Sequence, residues 1–414
     1  MSATKTAIDF EKKVAATNYD PLPLVLTEAK GVWAKDADGK RYLDMMSAYS
    51  AVSMGHGHPR ILAAMMDQAQ KLAVTSRAYH TEVLGPFLDR LVKLTGLDVA
   101  LPMNTGAEAV ETAIKAARRW GHHVKGIAKD RAEIIVAEQN FHGRTTTIIG
   151  FSSDESYRDG FGPFTGGFKA VPFADAAAVE AAITPNTAAV LIEPIQGEAG
   201  IIVPPDGYLR QLREICTRHN VMLIVDEVQA GLGRTGKWFA HQHDGIRPDG
   251  LILGKALGGG VYPVSAFVGT REFMQVFNPG SHGSTFGGNA LAARIGLEAL
   301  NVIEDEGLVE NSRVMGEYLF ERLSAMRALG HDLVVLILGV LSKGSRLIPE
   351  RVPLYLVLRA HAGIQNCLHT ISLPLGTFNP RASLLTVLMY APVVPSSIRA
   401  IVGLLTPDNV ASSS

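Results

Sequence analysis

Lys255 stands at the end of the apolar run Leu251-Ile-Leu253, in the stretch Leu-Gly-Lys-Ala-Leu-Gly-Gly-Gly. Asp226, 29 positions earlier, ends a second apolar run, Val221-Met-Leu-Ile-Val225. One strand delivering a carboxylate and another an amine is the arrangement that a Schiff-base cofactor requires. The amine holds pyridoxal phosphate as an imine, and a carboxylate beside the ring nitrogen keeps that nitrogen protonated and electron-accepting.

Other segments offer further parts, each with a plainer reading beside it. Asn104-Thr-Gly-Ala-Glu-Ala109 opens a helical pattern with Ala109, Val110, Ala113, Ile114 and Ala117 on one face. Gly106 lets the backbone approach a ligand, and the amides of a helix start suit a phosphate, although Asn and Thr are also ordinary N-caps. In Asn140-Phe-His-Gly-Arg-Thr145, Phe141 offers a face to a cofactor ring and Arg144 a fork to a substrate carboxylate. A turn with a partly buried aromatic accounts for that segment equally well. Glu193-Pro-Ile-Gln-Gly-Glu-Ala-Gly200 places two carboxylates after a buried strand, a pattern surface loops also show. Asp226-Glu-Val-Gln229 is more telling, because a carboxylate abutting an apolar strand needs a partner. It also resembles the acidic end of a nucleotide-hydrolysing site. Gly254-Lys255, however, lacks the spacer and the Ser/Thr of a phosphate-binding P-loop. His282-Gly-Ser-Thr-Phe-Gly-Gly-Asn289 is a small polar loop suited to a phosphate or to any turn. His56 and His58 lack a metal-binding spacing and read as a structural turn before Pro59, so no metal is expected.

The elements that must position these residues follow from hydrophobic pattern. The runs 133–137, 188–192, 221–225 and 250–253 are apolar almost throughout, as strands covered on both faces must be. A helical pattern beginning at Asp206 separates two of them. The reading is an α/β fold with a largely parallel sheet, whose ligand crevice lies at the carboxyl ends of the strands, where Glu193, Asp226 and Lys255 fall. At 414 residues, two domains are expected. A net charge of −1 gives no pull towards nucleic acid or an anionic membrane. Two cysteines make neither a disulfide framework nor a zinc site. The nine-residue apolar stretch 333–341 cannot span a bilayer and no leader pattern is evident, so a cytoplasmic location is expected.

In combination and in this order the segments resemble class III, fold type I, pyridoxal-phosphate aminotransferases. Asn18-Tyr-Asp-Pro-Leu-Pro, Ser47-Ala-Tyr-Ser-Ala-Val, Gly55-His-Gly-His-Pro, Leu101-Pro-Met-Asn-Thr-Gly and Gly160-Phe-Gly-Pro-Phe add to those already quoted. The resemblance covers about residues 10–330. It implies a large cofactor domain, 51–295, and a smaller α+β domain built from 1–50 and 296–414. It also implies a homodimer with active sites shared across the interface. Lys255 would carry the cofactor and then move the proton, while Asp226 would hold the ring nitrogen. Gln229 would bond the phenolic oxygen and Phe141 would stack on the ring. Gly106 and Ala107 would bind the phosphate, with Thr285 reaching it from the neighbouring subunit. Glu193 and Ser284 are assigned to the cofactor as well. Tyr19 and Arg144 would hold the α-carboxylate of L-ornithine, and Tyr49 would favour it over shorter ω-amino acids. Glu198 would mask a second arginine that binds the acceptor, 2-oxoglutarate. N-acetylornithine or 4-aminobutyrate is the alternative donor, against which Tyr19 and Tyr49 argue.

From about residue 331 the chain departs from the family. The last 84 residues hold three acidic and six basic side chains, nine of the 79 in the chain. The expected second arginine segment is missing, and Arg399 is the nearest candidate. Loss of acidic residues is what an out-of-frame reading of the C-terminal codons would produce, giving a catalytically impaired product. A family-like tail in another frame of the gene is the check.

Overall fold

The computed structural model describes residues 3–328 together with the strands Leu333–Leu336 and Tyr355–Leu358, which pair antiparallel. The expectations about Arg399 and the rest of the tail lie outside these residues. Three short strands, β1 (Leu26–Lys30), β2 (Trp33–Asp36) and β3 (Arg41–Leu43), form an antiparallel sheet near the amino end. Seven more build the central sheet: β4 (Val99–Met103), β5 (Glu133–Ala137), β6 (Phe168–Val171), β7 (Thr187–Ile192), β8 (Met222–Asp226), β9 (Gly250–Leu253) and β10 (Ser265–Gly269). Their order across the sheet is β4-β10-β9-β8-β7-β5-β6. Only β10 runs antiparallel to its two neighbours, and the remaining pairs are parallel.

The apolar strands alternate between two cores, because successive side chains leave a strand on opposite faces. Ile135, Val190, Leu223, Val225, Leu251 and Leu253 join one buried cluster, with Leu212 and Phe87 from covering helices. Ile134, Leu191, Ile224 and Ile252 join the other, with Ile114 and Trp120 from the helix Gly106–His123. All six residues of β7 are buried, as burial on both faces demands. On the first face the helix Ala290–Asp305 packs against Pro59–Lys71 and Leu84–Thr95. A Cβ on Gly296 would stand 2.7 Å from the Phe87 ring, so a glycine is what lets these helices close up. Arg60 ties them at the surface, donating to Glu298 and Asp305 at 2.8 Å each. No helix among the described residues is long and apolar enough to cross a membrane.

Candidate active site

Asp226 is the last residue of β8 and pairs in register with Ile252 of the neighbouring β9. Lys255 follows β9 in a turn, Lys255–Gly258, with its own backbone at φ +45°. A left-handed conformation costs a residue with a Cβ roughly 1–2 kcal/mol, and such strain persists where the surroundings fix it. Here the fixing is tight: a Cβ on Gly254 would lie 3.3 Å from Val228, and one on Gly106 3.1 Å from the same side chain. Burial pushes the Lys255 ammonium below its ordinary pKa, although Glu198, Asp226 and Glu193 pull the other way. The result is an amine more available in its neutral, nucleophilic form.

Asp226 has both carboxylate oxygens engaged. His142 Nδ1 lies 2.7 Å from Oδ2, and the Val228 amide donates to Oδ1 at 3.0 Å. Burial opposes a charge on His142, but the bond to Asp226 outweighs it and raises the imidazole pKa. The far nitrogen, His142 Nε2, is buried without a partner. Sequence reasoning passed over this histidine, although it stands between the two residues read from the same segment. The signal was its adjacency to Phe141 at the mouth of a buried strand. The Phe141 amide in turn donates to Glu193 Oε2 at 3.0 Å, so one loop is pinned to two strand ends.

Burial raises Glu193 from its ordinary 4.5 to about 7, with Asp226 and Glu198 adding repulsion and His142 opposing. A raised folded pKa contributes stability that is complete below the ordinary value and is lost as pH rises through the folded one. Cofactor-free protein is therefore expected to lose melting temperature between pH 4.5 and about 7. Glu193→Gln should flatten that slope; identical slopes in both proteins would refute a protonated Glu193.

The helix Gly106–His123 begins with a capping box: Thr105 Oγ1 accepts from the Glu108 amide, and Glu108 accepts from the Thr105 amide at 2.7 Å. This cap uses the Glu108 amide and leaves those of Gly106 and Ala107 to the crevice, where the helix dipole favours an anion. Gly143, at φ +127°, brings the Phe141 loop against Ala107; a Cβ there would stand 2.9 Å from the Ala107 Cβ. Arg144 is exposed, its guanidinium 3.6 Å from the centre of the Tyr157 ring and 5.7 Å from that of Phe141. Gln229 donates Nε2 to Glu198 Oε1 at 3.0 Å, while its Oε1 is buried without a partner. Gly197 makes room for it, since a Cβ there would fall 1.7 Å from that oxygen.

Ser284 Oγ accepts from Asn104 Nδ2 and from the Gly287 amide, both at 3.0 Å, joining its loop to the helix start. Tyr49 lies in the turn Ser47–Ser50, which packs against Lys255–Gly258. Tyr19, 80% exposed, and Thr285, also exposed, are joined to this cluster by no hydrogen bond among the described residues. His56 pairs with Asp44 at 2.7 Å and His58 with Glu306 at 3.1 Å, which accounts for both histidines structurally.

Residues 14–337 match the aminotransferase class-III family, and the chain belongs to it. It is similar to the ornithine aminotransferases of Brevibacillus brevis, 55% identical over 78% of this chain and 81% of that one, and of Bacillus subtilis, 55% identical over 79% and 81%. Among solved structures, the ornithine aminotransferase of Toxoplasma gondii superimposes with a TM-score of 0.80 at 41% identity, covering 82% of this chain and 81% of that one. An acetylornithine aminotransferase from Elizabethkingia anophelis gives 0.74 at 50% identity, covering 82% and 84%. The family depends on pyridoxal phosphate, and the residues present fit it. A desolvated lysine, an acidic strand end, two orphaned buried polar atoms (His142 Nε2 and Gln229 Oε1) and the close-packed glycines Gly106, Gly143, Gly197 and Gly254 carry that fit.

Proposed function

We propose that this aminotransferase moves the δ-amino group of L-ornithine to 2-oxoglutarate, giving glutamate 5-semialdehyde and glutamate. The observation carrying the reading is the desolvated Lys255 amine within reach of the Asp226 charge, itself paired to His142, with Arg144 over Phe141 on the loop that carries that histidine. Relatives bearing the ornithine aminotransferase name at 55% identity support the choice of donor.

Bound in this crevice, pyridoxal phosphate supplies an electron sink for the carbon that loses its proton. Asp226 would hold the ring nitrogen, and His142 fixes the carboxylate's orientation. The Gly106 and Ala107 amides would hold the phosphate, Phe141 would stack on the ring, and Gln229 would donate to the phenolic oxygen, while Glu193 braces the Phe141 loop. Ser284 orders its loop beside the phosphate, and Thr285 completes a partner subunit's site in a homodimer. Tyr19 and Arg144 orient the donor's α-carboxylate away from Lys255, so its distal amine meets the cofactor. Lys255 Nζ would take the proton from the donor's δ-carbon and return it on the cofactor side. Glu198, held by Gln229, would mask the second, acceptor-binding arginine while the donor reacts. The domain division 51–295 against 1–50 plus 296–414 belongs to this proposal, as does a cytoplasmic location.

The family match ends at 337, and the acceptor's α-carboxylate has no arginine assigned to it among the described residues. A lost charged pair of that kind costs about 2–5 kcal/mol. The test is the visible absorption band of the lysine-bound cofactor. L-ornithine should bleach it, and 2-oxoglutarate should restore it far more slowly. No bleaching would refute the donor; fast recovery would refute the weakened acceptor step alone. The 50% identity to an acetylornithine aminotransferase favours a second reading, in which N-acetylornithine bleaches the band faster than ornithine does.

A further inference from the structure

Ser47, Ala48, Tyr49 and Ser50 have φ of 49°, 45°, 56° and 79°, a run of left-handed backbone with no glycine in it. Side chains oppose this conformation, so the turn must be held from outside. Its own hydroxyls do not hold it: Ser47 Oγ and Ser50 Oγ are buried without hydrogen-bond partners. Two ties do. At the entry, Asp44 Oδ1 accepts from the Met46 and Ser47 amides, both at 2.9 Å, while Oδ2 lies 2.7 Å from His56 Nε2. His56 is itself fixed to the first sheet's turn by reciprocal backbone bonds with Gly31, at 2.8 and 2.9 Å. At the exit, Ser53 Oγ donates to the Ser50 carbonyl at 2.8 Å and accepts from Arg234 Nη2 at 3.1 Å. Between the ties stands Tyr49, in the turn that packs on the lysine turn.

We propose that Asp44 is a positioning residue for donor selection, holding Tyr49 in the left-handed turn beside Lys255. The proposal rests on the ornithine reading above and deepens it, since Tyr49 would then act through its fixed place rather than through its presence. Burial works against the Asp44 charge, yet His56 and the two amides keep its carboxyl below the usual range, in keeping with a fully engaged tie. Releasing the entry lets the backbone relax to ordinary φ and carries the phenol away from the donor. The lysine, Asp226 and the phosphate cradle are untouched.

The experiment compares kcat/KM for L-ornithine and for 4-aminobutyrate in the holoenzyme, with cofactor affinity measured alongside. Asp44→Ala is expected to lower the ornithine-to-4-aminobutyrate ratio at least about tenfold, through KM for ornithine, with cofactor affinity retained. Asp44→Asn, whose Oδ1 still accepts from both amides, should keep the ratio within about threefold of wild type. An unchanged ratio in Asp44→Ala, or an equal fall for both donors, overturns the proposal. Should that variant fail to fold, Ser53→Ala frees the exit and carries the same expected fall, and an unchanged ratio there overturns it equally. A wild type that ignores ornithine fails the donor reading itself, and the proposal with it.

Discussion

Lys255→Ala is expected to slow turnover with L-ornithine by at least about 10³-fold, the scale of losing an acid–base group that also forms the covalent link. Lys255 is the amine that follows β9, and the groups that act on its charge are the carboxylates Glu198, Asp226 and Glu193 and the buried guanidinium of Arg234, none of them a second amine. The parts that grip the cofactor otherwise remain, so the variant should still retain pyridoxal phosphate on dialysis, without the absorption of the lysine-bound form. Lys255→Arg separates charge from chemistry, because a guanidinium keeps the positive charge and cannot serve as a neutral amine. It should be as inactive as the alanine variant. Activity within tenfold of wild type in either would mean that a different amine carries the reaction.

For Asp226→Asn the expected loss is about 10²–10³-fold, by analogy with removing one preorganised electrostatic contact in a buried site. An amide cannot balance a protonated ring nitrogen, so cofactor affinity should fall as well, measurable by titrating the apoenzyme. His142→Asn should show the same signature at smaller size, because it acts through the carboxylate by the 2.7 Å bond to Oδ2. Combining the two should cost little more than Asp226→Asn alone, since contacting residues are not additive. Full additivity would show that His142 has a separate role, pointing to its orphaned Nε2.

The sequence made the middle of the sheet readable and hid its margins. β5 and β9 coincide with the runs read from hydrophobicity, and β7 and β8 differ by a residue, because strands buried on both faces advertise themselves. β6 went unread since it is an edge strand with only Val171 buried. β4 carries Pro102, which argues against a strand until one sees that β4 is the opposite edge, where a missing amide is tolerated. At the site, Lys255, Asp226 and Glu193 drew notice because each stands at or just past the end of an apolar run, whereas Gln229 and Glu198 were picked out through the family resemblance. His142 and Asp44 were not, because their importance lies in what they touch across 84 and 12 positions of chain, which no local pattern records.

The register of β8 with β9 also bears on how the enzyme tolerates change. Asp226 ends β8 in register with Ile252 of β9, and Lys255 follows β9 by two residues, so the spacing between charge and amine is set by main-chain ladder bonds, about 4.8 Å from strand to strand, together with the turn that begins at Lys255. Side chains beneath fill volume but do not define that spacing. Conservative exchanges among Leu223, Val225, Leu251 and Leu253 should therefore spend thermal stability while leaving the chemistry aligned, giving such an enzyme wide freedom to drift in its interior without losing its reaction.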